Sequence, residues 1–135
     1  MSFNGYPVDH LGIAVRSVEA ALGFYRDQLG LPLTLRETVA QEKVHIAILQ
    51  TGESRIELLE PSEADSPIGK FLDKRGEGLH HICLRVPDLV QAVERLKAGG
   101  SRVLNEPQIG AGGHKYVFIH PSSTGGVLIE LVEAS

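Results

Sequence analysis

The chain nearly repeats itself, and the repeat limits the folds open to it. Val8-Asp9-His10-Leu11-Gly12-Ile13-Ala14-Val15 aligns with Leu79-His80-His81-Ile82-Cys83-Leu84-Arg85-Val86, placing His10 on His81 at an offset of 71 residues. Arg55-Ile56-Glu57-Leu58-Leu59-Glu60 aligns with Leu128-Ile129-Glu130-Leu131-Val132-Glu133, placing Glu57 on Glu130 at an offset of 73. A repeated segment is one supersecondary unit, used more than once to complete a core. Each copy here opens on a histidine and closes on glutamates.

Between these landmarks each copy follows one grammar. A strand over residues 10–15 leads to Ser17, a capping residue, and to a helix whose apolar stripe is Val18, Ala21, Leu22, Tyr25 and Leu29, stopped by Gly30. The second copy has a strand at 81–86, a helix start at Pro87-Asp88, the stripe Leu89, Ala92, Val93 and Leu96, and a stop at Gly99-Gly100. Three short strands are expected after each helix, at 33–37, 44–49 and 55–59, then at 102–105, 116–120 and 127–132. The fold class is therefore α+β, with two βαβββ modules forming a curved sheet with a cleft. Module 1 covers about 8–60, and a connector with Asp65-Ser66-Pro67 opening a short helix covers about 61–78. Module 2 covers about 79–133, and residues 1–135 are expected to make one domain.

Composition narrows the functional classes. At 135 residues the chain can bury a core without staples, and its lone cysteine, Cys83, has no partner within the chain. The 17 acidic residues against 13 basic ones do not favour nucleic acid, and no apolar run reaches the ~18 residues of a membrane span. Residues 1–7 carry no apolar signal segment, so a cytoplasmic protein or the mature form of an organellar matrix protein is expected. Six histidines beside one cysteine point to nitrogen and oxygen metal chemistry.

Strand alternation gathers the repeated ionisable residues on one face. Leu11, Ile13 and Val15 suit a helix-packed face, which turns His10 to the other; Ile82, Leu84 and Val86 do the same for His81. Glu57 and Glu130 likewise stand opposite their apolar neighbours. A carboxylate buried there costs several kcal/mol, roughly, unless a cation compensates it. Two imidazoles and two carboxylates around a divalent ion meet that need and leave coordination positions for substrate. The competing arrangement is a metal-free hydrogen-bonded His–Glu pair in each module; the doubling favours metal. His80 falls on the helix side, His120 at a strand end, and His45 and His114 at solvated positions. Cys83 shares the face of His81 as a small buried side chain, and Arg85 is a candidate for a substrate carboxylate.

The chain resembles the vicinal oxygen chelate superfamily (glyoxalase, bleomycin resistance, dioxygenase) from about Val8 to Val132, and within it the methylmalonyl-CoA epimerase family. The resemblance rests on the opening Val8 to Val15 segment, Ile56-Glu57-Leu58-Leu59-Glu60-Pro61, Asp65-Ser66-Pro67-Ile68-Gly69-Lys70-Phe71-Leu72, Gly76-Glu77-Gly78-Leu79-His80-His81-Ile82, and Phe118-Ile119-His120-Pro121 running on to Gly125-Gly126-Val127-Leu128-Ile129-Glu130-Leu131. It implies His10, Glu57, His81 and Glu130 as metal ligands, with Glu130 also the acid/base at substrate C2. It further implies a divalent ion, cobalt ahead of manganese, nickel or zinc, and a homodimer acting on an acyl-CoA. The reaction implied is epimerisation of methylmalonyl-CoA by proton removal and return through a metal-stabilised enolate. Lys70, Lys74, Arg75 and Lys115 are then expected to meet the CoA portion.

The sequence departs from the family at one position. Some epimerases carry a second catalytic glutamate where this chain has Ile46, which leaves Glu42 and His45 as the nearest ionisable candidates for a second proton carrier. Two other activities share the fold: a glyoxalase-type lyase or isomerase acting on a glutathione adduct, and a metal-free ligand-binding module of the drug-resistance type. A ring-cleaving dioxygenase site of two histidines and one carboxylate would leave Glu57 surplus.

Overall fold

The structure is a computed structural model that describes residues 5–134. The first four positions of the segment read for targeting lie outside the described residues. Among the described residues, eight strands and three α-helices give a mixed α+β fold. The chain divides into two compact units, His10–His80 and Met1–Asp9 with His81–Ser135.

In the unit His10–His80 the strand order is β2 (Leu33–Val39), β3 (Val44–Thr51), β4 (Ser54–Pro61) and β1 (Val8–Ala14), which enters the unit at His10. β2–β3 and β3–β4 are antiparallel and β4–β1 is parallel. One face packs Ala47, Leu49 and Leu58 against Val15, Val18 and Leu22, the last two from α1 (Val18–Leu22). Leu22, Leu49 and Leu58 have no exposed surface, and full burial of each stabilises by about 1.5–3 kcal/mol. The opposite face carries His10, Ile46, Ile48 and Glu57.

The start of α1 is held twice. Ser17 Oγ accepts the Ala20 N–H at 3.1 Å, and Glu60 Oε1 at the end of β4 accepts the Val18 N–H at 2.7 Å. The single helix expected up to Gly30 is instead five α residues followed by a π-helical stretch, Gly23–Gln28. There the Leu29 N–H reaches the Phe24 carbonyl at 2.8 Å. The wider turn keeps Tyr25 against the core and turns Leu29 outward, so Leu29 is 53% exposed and leaves the predicted stripe. The connector helix α2 (Pro67–Arg75) belongs to this unit; Ser66 Oγ caps it through the Gly69 N–H at 2.9 Å, and Ile68 and Leu72 are buried.

In the other unit the order is β5 (Gly78–Val86, joining it at His81), β8 (Ile129–Glu133), β7 (Lys115–Ile119) and β6 (Gln108–Ile109). β5–β8 is parallel and the other pairs are antiparallel. The helix α3 (Leu89–Ala98) packs Leu89, Ala92 and Val93 on Val86, Val117, Ile119 and Leu131. Its start repeats the double hold: Asp88 Oδ1 accepts the Gln91 N–H at 3.0 Å and Glu133 Oε2 accepts the Leu89 N–H at 3.1 Å.

The strand expected at 102–105 is absent, replaced by an isolated bridge between Val103 and Ile119. Backbone bonds flank that bridge, the Leu104 N–H to the Phe118 carbonyl and the His120 N–H to the Arg102 carbonyl, each at 2.8 Å, and beyond it the side chain of Asn105 substitutes for backbone. Its Oδ1 accepts the Phe118 N–H at 2.8 Å and its amide donates to the Tyr116 carbonyl at 3.3 Å, so the edge of β7 is satisfied without a continuous ladder. The two-residue β6 forms only after Pro107.

Candidate metal and catalytic site

The first half of the candidate donor set lies within His10–His80. Parallel pairing sets Gly12 of β1 opposite Glu57 of β4, and antiparallel pairing sets Ile48 of β3 opposite Glu57 on its other side. His10, two residues before Gly12, shares that face. Its Nδ1 lies 3.2 Å from Glu57 Oε2, with His10 4% and Glu57 6% exposed.

The second half lies in the other unit and has the same construction. Cys83 of β5 is opposite Glu130 of β8, where the first half has Gly12, and Phe118 of β7 is opposite Glu130 on its other side. His81 Nε2 lies 2.9 Å from Glu130 Oε1, with His81 4% and Glu130 9% exposed. The Phe118 ring stands edge-on to the imidazole of His81, centroids 5.5 Å apart at 89°, and Tyr116 continues the aromatic wall at 5.6 Å and 74°. The first half has no such wall, because Ile46 and Ile48 fill the corresponding strand.

A divalent ion fits this donor set. Two donors bound at right angles to an ion with bonds of about 2.1 Å are about 3 Å apart, which is the separation of nitrogen and oxygen in each pair. Each donor is nitrogen or carboxylate oxygen, and each carboxylate is buried beside an imidazole that is neutral when it ligates, so its charge calls for a cation. His10 with Glu57 in one unit, and His81 with Glu130 in the other, each offer one imidazole nitrogen and one carboxylate oxygen to such an ion.

The remaining expected residues take structural positions. His45 lies on the helix side of β3, its Nδ1 2.7 Å from Thr38 Oγ1, and Glu42 lies in the Ala40–Glu42 turn before β3. Neither shares the strand face of Glu57. His80 packs edge-on to Phe71 with centroids 4.9 Å apart, and His120 turns its Nδ1 to the Ser122 N–H at 2.9 Å. Cys83 is buried and not disulfide-bonded. Arg85, the candidate for a substrate carboxylate, has its Nε 3.2 Å from Asp9 Oδ1, so the protein supplies it with a carboxylate of its own. Lys70, Lys74, Arg75 and Lys115 are exposed, and Arg75 lies over the Phe71 ring at 5.8 Å.

Two roles were missed in the sequence. Glu60 and Glu133 anchor helix starts, and the repeat itself was the signal, since it aligns both glutamates and the helices they hold.

Comparison with known proteins places these features. Residues 9–118 match the family model of the Glyoxalase/Bleomycin resistance protein/Dioxygenase superfamily. An ethylmalonyl-CoA/methylmalonyl-CoA epimerase from Cereibacter sphaeroides is 40% identical, over 92% of this chain and 95% of that protein. The crystal structure of methylmalonyl-CoA epimerase from Mycobacterium tuberculosis superposes with a TM-score of 0.94 at 37% identity, covering 100% of this chain and 93% of the other. A methylmalonyl-CoA epimerase in complex with methylmalonyl-CoA and ammonium superposes with a TM-score of 0.91 at 36% identity, covering 96% and 95% of the two chains.

Proposed function

The chain belongs to the Glyoxalase/Bleomycin resistance protein/Dioxygenase superfamily, and within it we propose that it is an isomerase interconverting the 2R and 2S forms of methylmalonyl-CoA. The observation that carries this reading is the pair of buried imidazole–carboxylate contacts, His10–Glu57 and His81–Glu130, at equivalent positions of a repeat. Epimerases of 36–40% identity along nearly the whole chain support the choice of reaction and of an acyl-CoA substrate.

We assign the four side chains to one divalent ion per chain, with cobalt ahead of manganese, nickel and zinc. When bound, such an ion supplies Lewis-acid stabilisation of charge developing on the substrate oxygens. The rest of the chemistry belongs to side chains. The C2 proton of methylmalonyl-CoA lies between a thioester and a carboxylate and is acidic for a carbon acid. Glu130 receives it on its carboxylate, which His81 orients at 2.9 Å and Phe118 flanks. Return of a proton to the opposite side of C2 inverts the centre and calls for a second carrier. The exposed cations Lys70, Lys74, Arg75 and Lys115 are assigned to the CoA phosphates.

The same reading places the protein in the cytoplasm or an organelle matrix, in keeping with the mitochondrial epimerase of Mus musculus among its relatives. No helix among the described residues is long and apolar enough to cross a membrane. A homodimer completes the reading on family resemblance, and light scattering checks it. The function is tested by following deuterium uptake at C2 and interconversion of the epimers, first on chelator-stripped protein and then after divalent metal is returned. Both should appear with metal. Turnover of the hemithioacetal of glutathione and methylglyoxal, without epimerisation, would instead make this a glyoxalase-type enzyme.

A further inference from the structure

Inversion at C2 needs a second proton carrier besides Glu130, and the strand faces of His10–His80 narrow the choice within that unit. Cross-strand pairing sets Glu37 of β2 opposite Ile46 of β3, Ile46 opposite Leu59 of β4, and Ile48 opposite Glu57. Paired residues share a face, as do residues two apart on a strand, so Glu37, Ile46, Ile48, Glu57 and His10 all lie on the face away from α1. The ionisable residues that the strands of this unit place on that face are His10, Glu37, Arg55 and Glu57. Arg55 stays charged and transfers no proton. His10 and Glu57 are engaged with each other at 3.2 Å and are both buried.

Glu37 differs from them in access. It is half-buried between exposed neighbours, Arg36 and Thr38, and so borders both the face and the solvent with which a proton carrier must equilibrate. It stands two strands across and two residues along from Glu57, about 12 Å between backbones, which leaves room for a small acyl group between the two carboxylates. Ile46 and Ile48 fill the intervening strand and are each 7% exposed, giving the gap an apolar floor.

We propose that Glu37 is the second proton carrier, delivering to and removing from C2 the proton on the side opposite Glu130. This rests on the epimerase reading above. In one direction Glu130 takes the C2 proton and the electron pair of the C–H bond moves into the thioester carbonyl. Protonated Glu37 then gives its proton to C2 as that pair returns. The reverse direction exchanges the two roles, and each carboxyl is reset by proton exchange with water.

The test uses separate 2R and 2S epimers of methylmalonyl-CoA in deuterated solvent, with the metal-loaded Glu37→Gln protein at wild-type metal content. Loss of one carrier should leave C2 exchange on one epimer and abolish it on the other, while interconversion falls about 100-fold or more. Glu130→Gln should show the opposite epimer preference, and substrate affinity in Glu37→Gln should stay within about threefold. Glu37→Asp, which keeps a shorter acid, should recover interconversion at least tenfold over Glu37→Gln. Equal exchange losses on both epimers, or unaltered interconversion, would overturn the proposal. If the wild-type protein neither exchanges nor interconverts the epimers, the epimerase reading fails first, and the variants are not needed to show it.

Discussion

Glu130 is assigned two tasks, and single substitutions separate them. Glu130→Gln keeps the size and one ligating oxygen but loses the base, so turnover should fall by about two or more powers of ten while metal content changes little; elemental analysis beside kcat checks both. His10→Ala should act through the metal instead, with affinity about 10–100-fold weaker and an activity defect that shrinks as excess ion is added. A third position concerns stability alone. Lys43, after the Ala40–Glu42 turn, is the one residue other than glycine with positive φ among the described residues, at 54°. A left-handed conformation costs such a residue about 1–2 kcal/mol, more than the roughly 0.5–1 kcal/mol of chain entropy that glycine loses there. Lys43 also lies 2.7 Å from Asp65 and holds that carboxyl below the usual carboxylate range, but both groups are exposed and the contact adds little. Lys43→Gly should therefore raise stability by up to about 1 kcal/mol in urea denaturation, and a loss would show that the contact matters more than the backbone. His10, Glu57, His81 and Glu130 were legible in the sequence because alternation sets their face without knowledge of pairing. Glu37 was not, because its place depends on the β2–β3 register.

At the scale of elements, each module ties its helix to the end of its parallel strand pair through a glutamate. The acceptor sits at the positive end of the helix, where its charge also meets the dipole. Glu60→Ala and Glu133→Ala should each destabilise by about 1–2 kcal/mol, the scale of a lost charged hydrogen bond at a helix start, and leave metal affinity unchanged. Chemical denaturation of the metal-free proteins measures the first, and metal titration the second. The order of strands and helices could be read from alternation, caps and glycine stops. The π-helical stretch Gly23–Gln28 could not, because a helical stripe looks alike on paper until the core chooses Tyr25 over Leu29. Nor could the shortening of the strand at 102–105 to a single bridge, because the next hydrogen bond along β7 goes to the side chain of Asn105 rather than to backbone.

Over the whole molecule, the proposed ion draws ligands from both modules, so binding it is expected to depend on both. Ligation by residues far apart in sequence stabilises only the folded chain, by about 2.7 kcal/mol at a free ion concentration one hundred times Kd. Removing the ion should lower the melting temperature by several degrees, and a smaller shift is expected for His10→Ala and for His81→Ala alike. The direct test is X-ray absorption on cobalt-loaded protein, combined with the cobalt content per chain. One ion per chain with two imidazoles in its shell is expected, and one imidazole remaining after either His10→Ala or His81→Ala. Two ions per chain with one imidazole each, or a shell without imidazole, would contradict this.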